Sequence, residues 1–483
     1  MTAGTILAKH GYKILIVEQC KTLGGLMQTF RRGSCYFPTG IHCLGALGKD
    51  QIMWKYFKYM GLMDHINPVA RKSDCFARLL FPDLKFDIPN GHEAFASKLV
   101  KKFPTEKTAI LQFFKDMKRC ASQFSLYHLQ EQTESISPKF QNQNLKDYLN
   151  NLTDNEDLYL ILTALNPFYC INPNECPLYI HFLIIDSFLQ SSWRLDESET
   201  TITDAFIKII REFGGEIRNN SQVSEILTEN GEAQGIRLTN DEIITSKYVI
   251  YTGHPKQLLS LCSDKQLRPA FRQRILDTED THGVFFVGLE WNNKDCPFAQ
   301  HDIFMYLERD TAVHYKEQIL YNDCKPKFLY FSAVPNSDNG VYSVTALCMM
   351  TYEELSQWHD TSLHKRPESY GAMKEKLTKN ILSVINDKWP GSTDFLNVKT
   401  TFTPLTVRDY TSSPSGSAYG LKRNVKSLKS TRLSVKTKVK GLYMSGQSIV
   451  MPGVLGSLIS SVDCCGAILG TKQLIREISN SLR

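Results

Sequence analysis

This chain has no stretch of about 18 or more uninterrupted apolar residues, the length a membrane-spanning helix needs. Its most apolar segment, Cys176 to Leu189, is broken by His181 and Asp186. No signal peptide is visible. The 13 cysteines are odd in number, scattered, and contain no Cys-x-x-Cys pair, which favours buried thiols in a reducing compartment. Cys464 and Cys465 adjoin in a predicted helix, where neighbours are poorly placed to bond each other. Gly-x-Ser-x-Gly, His-Glu-x-x-His and Walker-type loops are also missing, so the chemistry those motifs carry is not expected.

A further absence shapes the first 18 residues. Ala3, Ile6 and Leu7 fall at helical spacing, Gly11 supplies a left-handed helix end, and Ile14 to Val17 is an apolar run closed by Glu18. An apolar run of that kind suits a parallel strand covered on both faces. Together these pieces form the back half of a βαβ unit. In a dinucleotide fold an acid at Glu18 bonds ribose hydroxyls about 20 residues after a Gly-x-Gly-x-x-Gly loop. Neither that loop nor the strand before it stands in this sequence. The expectation is that Met1 is an internal methionine and that the reading frame continues upstream through a strand and a Gly-rich loop. Past the acid, Gly24-Gly25 let the backbone lie against a ligand where a Cβ would clash, and Arg31 and Arg32 are suited to phosphate.

With 483 residues, 42% of them hydrophobic and 22% charged, the chain is long enough for two or three globular domains with a large core. Its net charge of +6 is concentrated. From Lys422 to Lys440 there are eight Lys or Arg and no acid. Such a strip could dock peripherally on anionic lipid headgroups, or form an ordinary solvated loop. It lacks the interleaved aromatics of a nucleic-acid groove, so nucleic acid is not an expected partner.

The pattern along the chain is interleaved. Residues 1–45, 196–255 and 406–483 read as one discontinuous nucleotide-binding domain, and 46–195 and 256–405 as a substrate-binding or cap domain. Residues 46–195 read as largely helical, with amphipathic helices over Thr108–Phe124 and Leu145–Leu165. A helix over Thr203–Phe213 precedes short strands at Glu216–Asn219, Val223–Thr228, Ala233–Leu238 and Glu242–Thr245. Asn230-Gly231 marks a hairpin turn. Longer strands are expected over His282–Trp291, Lys327–Val334 and Gly340–Met350. Near the end, Leu442–Ser445 is a strand that feeds Gly446-Gln447, then the loop Pro452-Gly453-Val454-Leu455-Gly456, then a helix from about Ser457. A strand, a Gly-rich loop and a helix N-terminus in that order suit an anion or flavin edge.

On these motifs the chain resembles the FAD-dependent phytoene desaturase, carotenoid isomerase and retinol saturase family, within the amine-oxidase-like superfamily. Glu18 with Gly24-Gly25 matches the family's acid-x(5)-Gly-Gly. Phe37-Pro38-Thr39-Gly40-Ile41-His42 matches its Phe-Asp-x-Gly-x-His, with Pro38 in place of the acid. Further matches lie at Asn166-Pro-Phe-Tyr, Gly214 to Val223, Thr403 to Gly420 and Gly441 to Ser448. The family often has Pro-x-Gly-Gly after its apolar cap helix; here the loop Arg194 to Thr200 is acidic and lacks glycine.

The resemblance implies an α/β fold, with an amine-oxidase-like Rossmann FAD domain interleaved with an α+β substrate domain. It implies FAD as cofactor and hydride transfer to or from a lipophilic polyene or isoprenoid, as a desaturase, saturase or isomerase. Location would be cytoplasmic, with peripheral membrane contact. NAD(P), a quinone and oxygen remain open as electron partners. Implied cofactor contacts are Glu18, Gly24, Gly25, Arg31, Arg32, Val223, Gly253, Gly446, Gln447, Gly453, Val454 and Gly456. His42 and Tyr419 are candidates for groups near the flavin face, although a packed His or Tyr would read the same way. Two competing readings stay open: an amine-oxidase-like flavoenzyme, which an aromatic pair facing the flavin would support, and a flavin-free prenyl-lipid carrier resembling the Rab GDP-dissociation inhibitors.

Overall fold

Two short pairs of parallel strands anchor one half of the molecule. Leu15–Val17 runs beside Glu216–Arg218, and Val249–Tyr251 beside Leu442–Met444. The structure is a computed structural model that describes residues 1–131, 136–197, 200–263, 265–315, 325–336, 340–427 and 433–481. The two pairs belong to separate sheets, so among the described residues Leu15–Val17 and Leu442–Met444 each have one strand partner. The sequence led us to expect Leu15–Val17 to be covered on both faces. It is half-buried throughout, and no described strand lies along its second edge.

The helix Thr2–Lys9 buries Ala3, Ile6 and Leu7 as its spacing predicts, and it packs on the helix Gly453–Leu469. Burying Ile6 and Leu7 contributes about 1.5–3 kcal/mol each. Gly11 takes φ +79° past the helix end. The helix Ile202–Glu212 starts on a capping box, in which Thr201 and Asp204 satisfy each other's backbone N–H groups. The meander follows the predicted pattern, with Asn230 and Gly231 both at positive φ between Val223–Glu229 and Glu232–Leu238.

The other half is built on a seven-stranded sheet. Its order is Leu396–Phe402, Gly283–Trp291, Val341–Met350, Phe328–Asn336, Asp302–Tyr306, Ala77–Leu80 and Lys85–Ile88. Side chains alternate across the sheet. Phe285, Val287, Leu289 and Trp291 enter one core with the helix Glu368–Lys388, while Phe286 meets Phe37 and Phe402 on the opposite face. Both faces are covered, so these strands read as continuous apolar runs.

Residues 46–195 are largely helical, as expected, and also carry a hairpin, Ala77–Leu80 with Lys85–Ile88, that completes the large sheet. Each strand is four residues long, and Arg78, Lys85 and Asp87 hid the apolar signal. The helix expected over Leu145–Leu165 is two helices, Leu145–Asn150 and Glu156–Thr163, because Asn155 caps the second by accepting from Leu158 N–H at 2.9 Å. The last long helix begins at Gly453, not near Ser457.

Candidate functional site

Glu18 ends its strand by donating its N–H to Arg218 O and accepting from Ser221 N–H, each at 2.8 Å. This places Val223, half-buried at the start of its own strand, two residues from a backbone contact with the acid. A Glu18 carboxylate oxygen accepts from Cys20 N–H at 2.8 Å. The resulting turn leads into Gly24 at φ +110° and Gly25 at φ +56°. A Cβ on Gly24 would stand 2.5 Å from Thr203 Oγ1, whereas one on Gly25 would meet nothing within 4 Å. Gly25 therefore faces open space.

Across the sheet gap, Ser445 N–H donates to Tyr251 O at 2.9 Å. A Cβ on Gly446 would lie 3.5 Å from Thr252 O, so Gly446 sits beside the exposed Gly253. The Gly446 N–H is already engaged with Ser460 Oγ at 3.1 Å. Gly453, Val454 and Gly456 form the first turn of the helix Gly453–Leu469, behind Pro452 at its N-cap, and no side chain caps it. Gly456 must lack a side chain, since a Cβ there would fall 1.9 Å from Met451 O. Gly453, at φ +83°, has nothing within 4 Å of a Cβ. The first N–H groups of a helix have no internal partner and carry its positive end. An uncapped 17-residue helix opening on an unfilled glycine space suits an oxyanion, and this donor set fits a dinucleotide pyrophosphate.

Gln447 Nε2 donates to Ala418 O at 3.4 Å, which brings it to the backbone beside Tyr419. Tyr419 N–H donates to Thr281 Oγ1 at 3.0 Å. Burial raises the Tyr419 phenol, so it stays protonated. The same crossing holds His282, whose carbonyl accepts from Ala418 N–H at 3.0 Å. A cavity of about 410 Å³ opens here, lined by Cys170, Glu175, His282, Tyr315 and Lys422 among others. Burial lowers the pKa of His282, and its Nδ1 has no partner among the described residues. In sequence His282 serves only to begin a strand; no local motif marks it.

His42 lies elsewhere, its ring 5.6 Å from Tyr330. Burial, with Arg71 nearby, lowers its pKa to about 4. Behind it is a buried ion pair, Arg71 with Asp302, whose side chains are 3% and 0% exposed. No contact links His42 with Tyr419 among those described. Arg31 and Arg32 are exposed and folded onto their own hairpin: Arg31 Nε donates to Gly33 O at 2.8 Å, and Arg32 lies over the Phe30 ring.

The basic strip is dispersed. Lys422 pairs with Glu175 and Glu279, Arg423 is buried with its Nη2 on Ser448 O, and Lys440 pairs with Glu232. Lys426, Lys436 and Lys438 are exposed, while Lys429 and Arg432 lie outside the described residues. In the acidic loop, Glu197 accepts from Thr29 Oγ1 and Ile202 N–H; Ser198 and Glu199 lie outside the described residues. Among those residues no single helix is long and apolar enough to cross a membrane.

Comparison with known proteins gives findings at three levels. A model of the flavin containing amine oxidoreductases matches residues 1–458. An all-trans-retinol 13,14-reductase of Danio rerio is 23% identical, over 97% of this chain and 84% of its own. A neurosporene-forming phytoene desaturase of Rhodobacter capsulatus is 26% identical, over 53% of this chain and 50% of its own. In fold, an oxidoreductase from Methanosarcina mazei superposes with a TM-score of 0.65 at 16% identity, covering 95% of this chain and 96% of that one. The architecture thus matches expectation, a Rossmann-like half joined to a β-rich substrate half.

Proposed function

Because this chain belongs to the flavin containing amine oxidoreductases, an FAD-dependent oxidoreductase family, we propose that it moves a hydride between FAD and a lipophilic polyene or isoprenoid. Bound FAD supplies the hydride chemistry. Residues 1–45, 196–255 and 406–483 would hold it, and 46–195 and 256–405 would hold the substrate. Glu18 is assigned to ribose hydroxyls, the backbone at Val223 to adenine, and Gly24-Gly25 with Gly446, Gln447 and Gly253 to the close approach of the nucleotide. The helix start at Gly453, Val454 and Gly456 is assigned to pyrophosphate and the flavin edge. The observation that carries this reading is the open space over Gly25 and Gly453 beside an uncapped helix. Arg31 and Arg32 would reach phosphate only by leaving their hairpin contacts.

Tyr419 is placed as a neutral hydrogen-bond donor near the reacting region, and the cavity at Cys170, His282 and Tyr315 as a section of the substrate path. The retinol reductase and phytoene desaturase relatives support a polyene substrate. Any contact with anionic lipid would fall to Lys426, Lys436 and Lys438.

The absorbance spectrum of purified protein tests this reading, taken for the chain as given and for a form extended ahead of Met1 by a strand and Gly-rich loop. A flavin band that survives desalting in either form is the expected result, bleached anaerobically by phytoene if the chain desaturates or, once reduced with dithionite, restored by all-trans-retinol if it saturates. Bleaching by a primary amine instead would favour the amine-oxidase reading. No flavin in either folded form would favour a lipid carrier. Gly453→Leu offers a sharper check. It should cost about 1–2 kcal/mol for a side chain at positive φ, yet reduce bound flavin at least tenfold, read from the flavin-to-protein absorbance ratio.

A further inference from the structure

A second cavity, of about 760 Å³, opens between the strand Asn67–Ala70 and the far end of the large sheet. None of the glycines assigned to the flavin lines it. Its walls carry Arg71, Lys72, Arg194 and Lys294, against Asp295 as the one acid, with Trp291, Tyr342, Trp389 and Phe395 beside them.

Four shielded polar atoms of the residues in this wall, Arg71 Nε, Arg194 Nη1, Trp291 Nε1 and Ser392 Oγ, have no hydrogen-bond partner among the described residues. Arg71, Trp291 and Ser392 are only 5%, 4% and 3% exposed. A buried donor without an acceptor is destabilising, so four such atoms around one cavity require an explanation. Three are N–H donors that cannot accept, and the fourth is a hydroxyl that can do either. Arg194 forms no ion pair among the described residues, and burial beside Arg71 lowers its pKa. A neutral ligand would leave this excess positive charge uncompensated. An aromatic body can lie against the Trp and Tyr faces, and an oxyanion can take two N–H groups of a guanidinium fork.

We propose that this groove is a binding site for a flat aromatic or apolar molecule bearing an oxyanion, a carboxylate or a phosphate. It is separate from the flavin site and does not depend on the assignment made there. Arg71 remains held by Asp302 and Ser332, so Arg194 is the principal anion ligand, with Lys294 at the mouth.

Titration calorimetry of the full chain with 1-naphthoate and with adenosine 5′-monophosphate tests the proposal. Saturable binding of either probe is expected, weakened at least tenfold in Arg194→Met. Preference for the first marks a carboxylate site, and preference for the second a phosphate site. Arg194→Met removes an unpartnered buried donor, so its Tm should match or exceed that of the parent, which separates lost binding from lost folding. Failure of both probes to saturate at millimolar concentration, or unchanged affinity in both Arg194→Met and Lys294→Met, would overturn the proposal.

Discussion

Asp302→Asn will lower folding stability by about 3–5 kcal/mol, the usual cost of removing one partner from a buried ion pair. The substitution keeps the side-chain volume, so no cavity is made. It leaves the Arg71 guanidinium, 3% exposed, without its counter-ion, although the new amide oxygen can still accept a hydrogen bond, as Ser332 Oγ does at 3.0 Å. Burial raises the Asp302 carboxyl and the charge of Arg71 opposes that rise, while the guanidinium stays charged with or without its partner. A urea midpoint read against an unchanged m-value measures the loss. The double variant Arg71→Met with Asp302→Leu should recover most of it, since replacing both charges by apolar groups is often neutral. A loss under about 1 kcal/mol would mean that the pair behaves like an exposed one.

Stability will also fall as pH drops below about 6.5, before most carboxylates titrate. Burial lowers the pKa of His42 to about 4, of His181 to about 3 and of His301 to about 4. Each is neutral in the folded chain and readily protonated in the unfolded one. Between pH 6.5 and these values the unfolded state binds more protons, so stability rises with pH and is lost on acidification. Three such groups give a slope of up to about 4 kcal/mol per pH unit, less for the incompletely buried His42. His181 should contribute most. It is 0% exposed, its Nδ1 meets Tyr169 Oη at 2.8 Å, and its Nε2 has no partner among the described residues. His181→Gln cannot titrate, so urea midpoints measured at several pH values should show a shallower slope between pH 6 and 5. An unchanged slope would remove His181 from the account.

Local physics made much of the fold readable. The helix at Thr2–Lys9, its Gly11 end and the Asn230-Gly231 hairpin depend on neighbouring residues alone, and they stand where the spacing put them. The strands Gly283–Trp291 and Val341–Met350 were readable because both their faces are buried. The hairpin Ala77–Leu80 with Lys85–Ile88 was not, since its short strands are held by a sheet assembled from residues more than 200 positions away. The start of the last helix was misplaced because Gly453 and Gly456 resemble a loop in sequence, whereas Pro452 sets the helix going at once. The turns at Gly24, Gly25, Gly446 and Gly453, all at positive φ, were legible because glycine is the residue that takes that conformation without strain. The Arg71–Asp302 pair and the donors around Arg194 were not, for their partners are 231 residues apart in the first case and come from several separate segments in the second.

The separation of the two parallel strand pairs also bears on how the molecule holds together. No ladder of main-chain bonds runs from Leu15–Val17 to Leu442–Met444 among the described residues. The two pairs are linked instead through helix packing, including the contact of Cys465 Sγ with Ala3 O. A dinucleotide reaching from the Glu18 end to the Gly446 end would span that seam. Because it would bind only when both sides are in place, its binding free energy would add directly to the folded state. In this fold the cofactor would then serve as mortar as well as reagent.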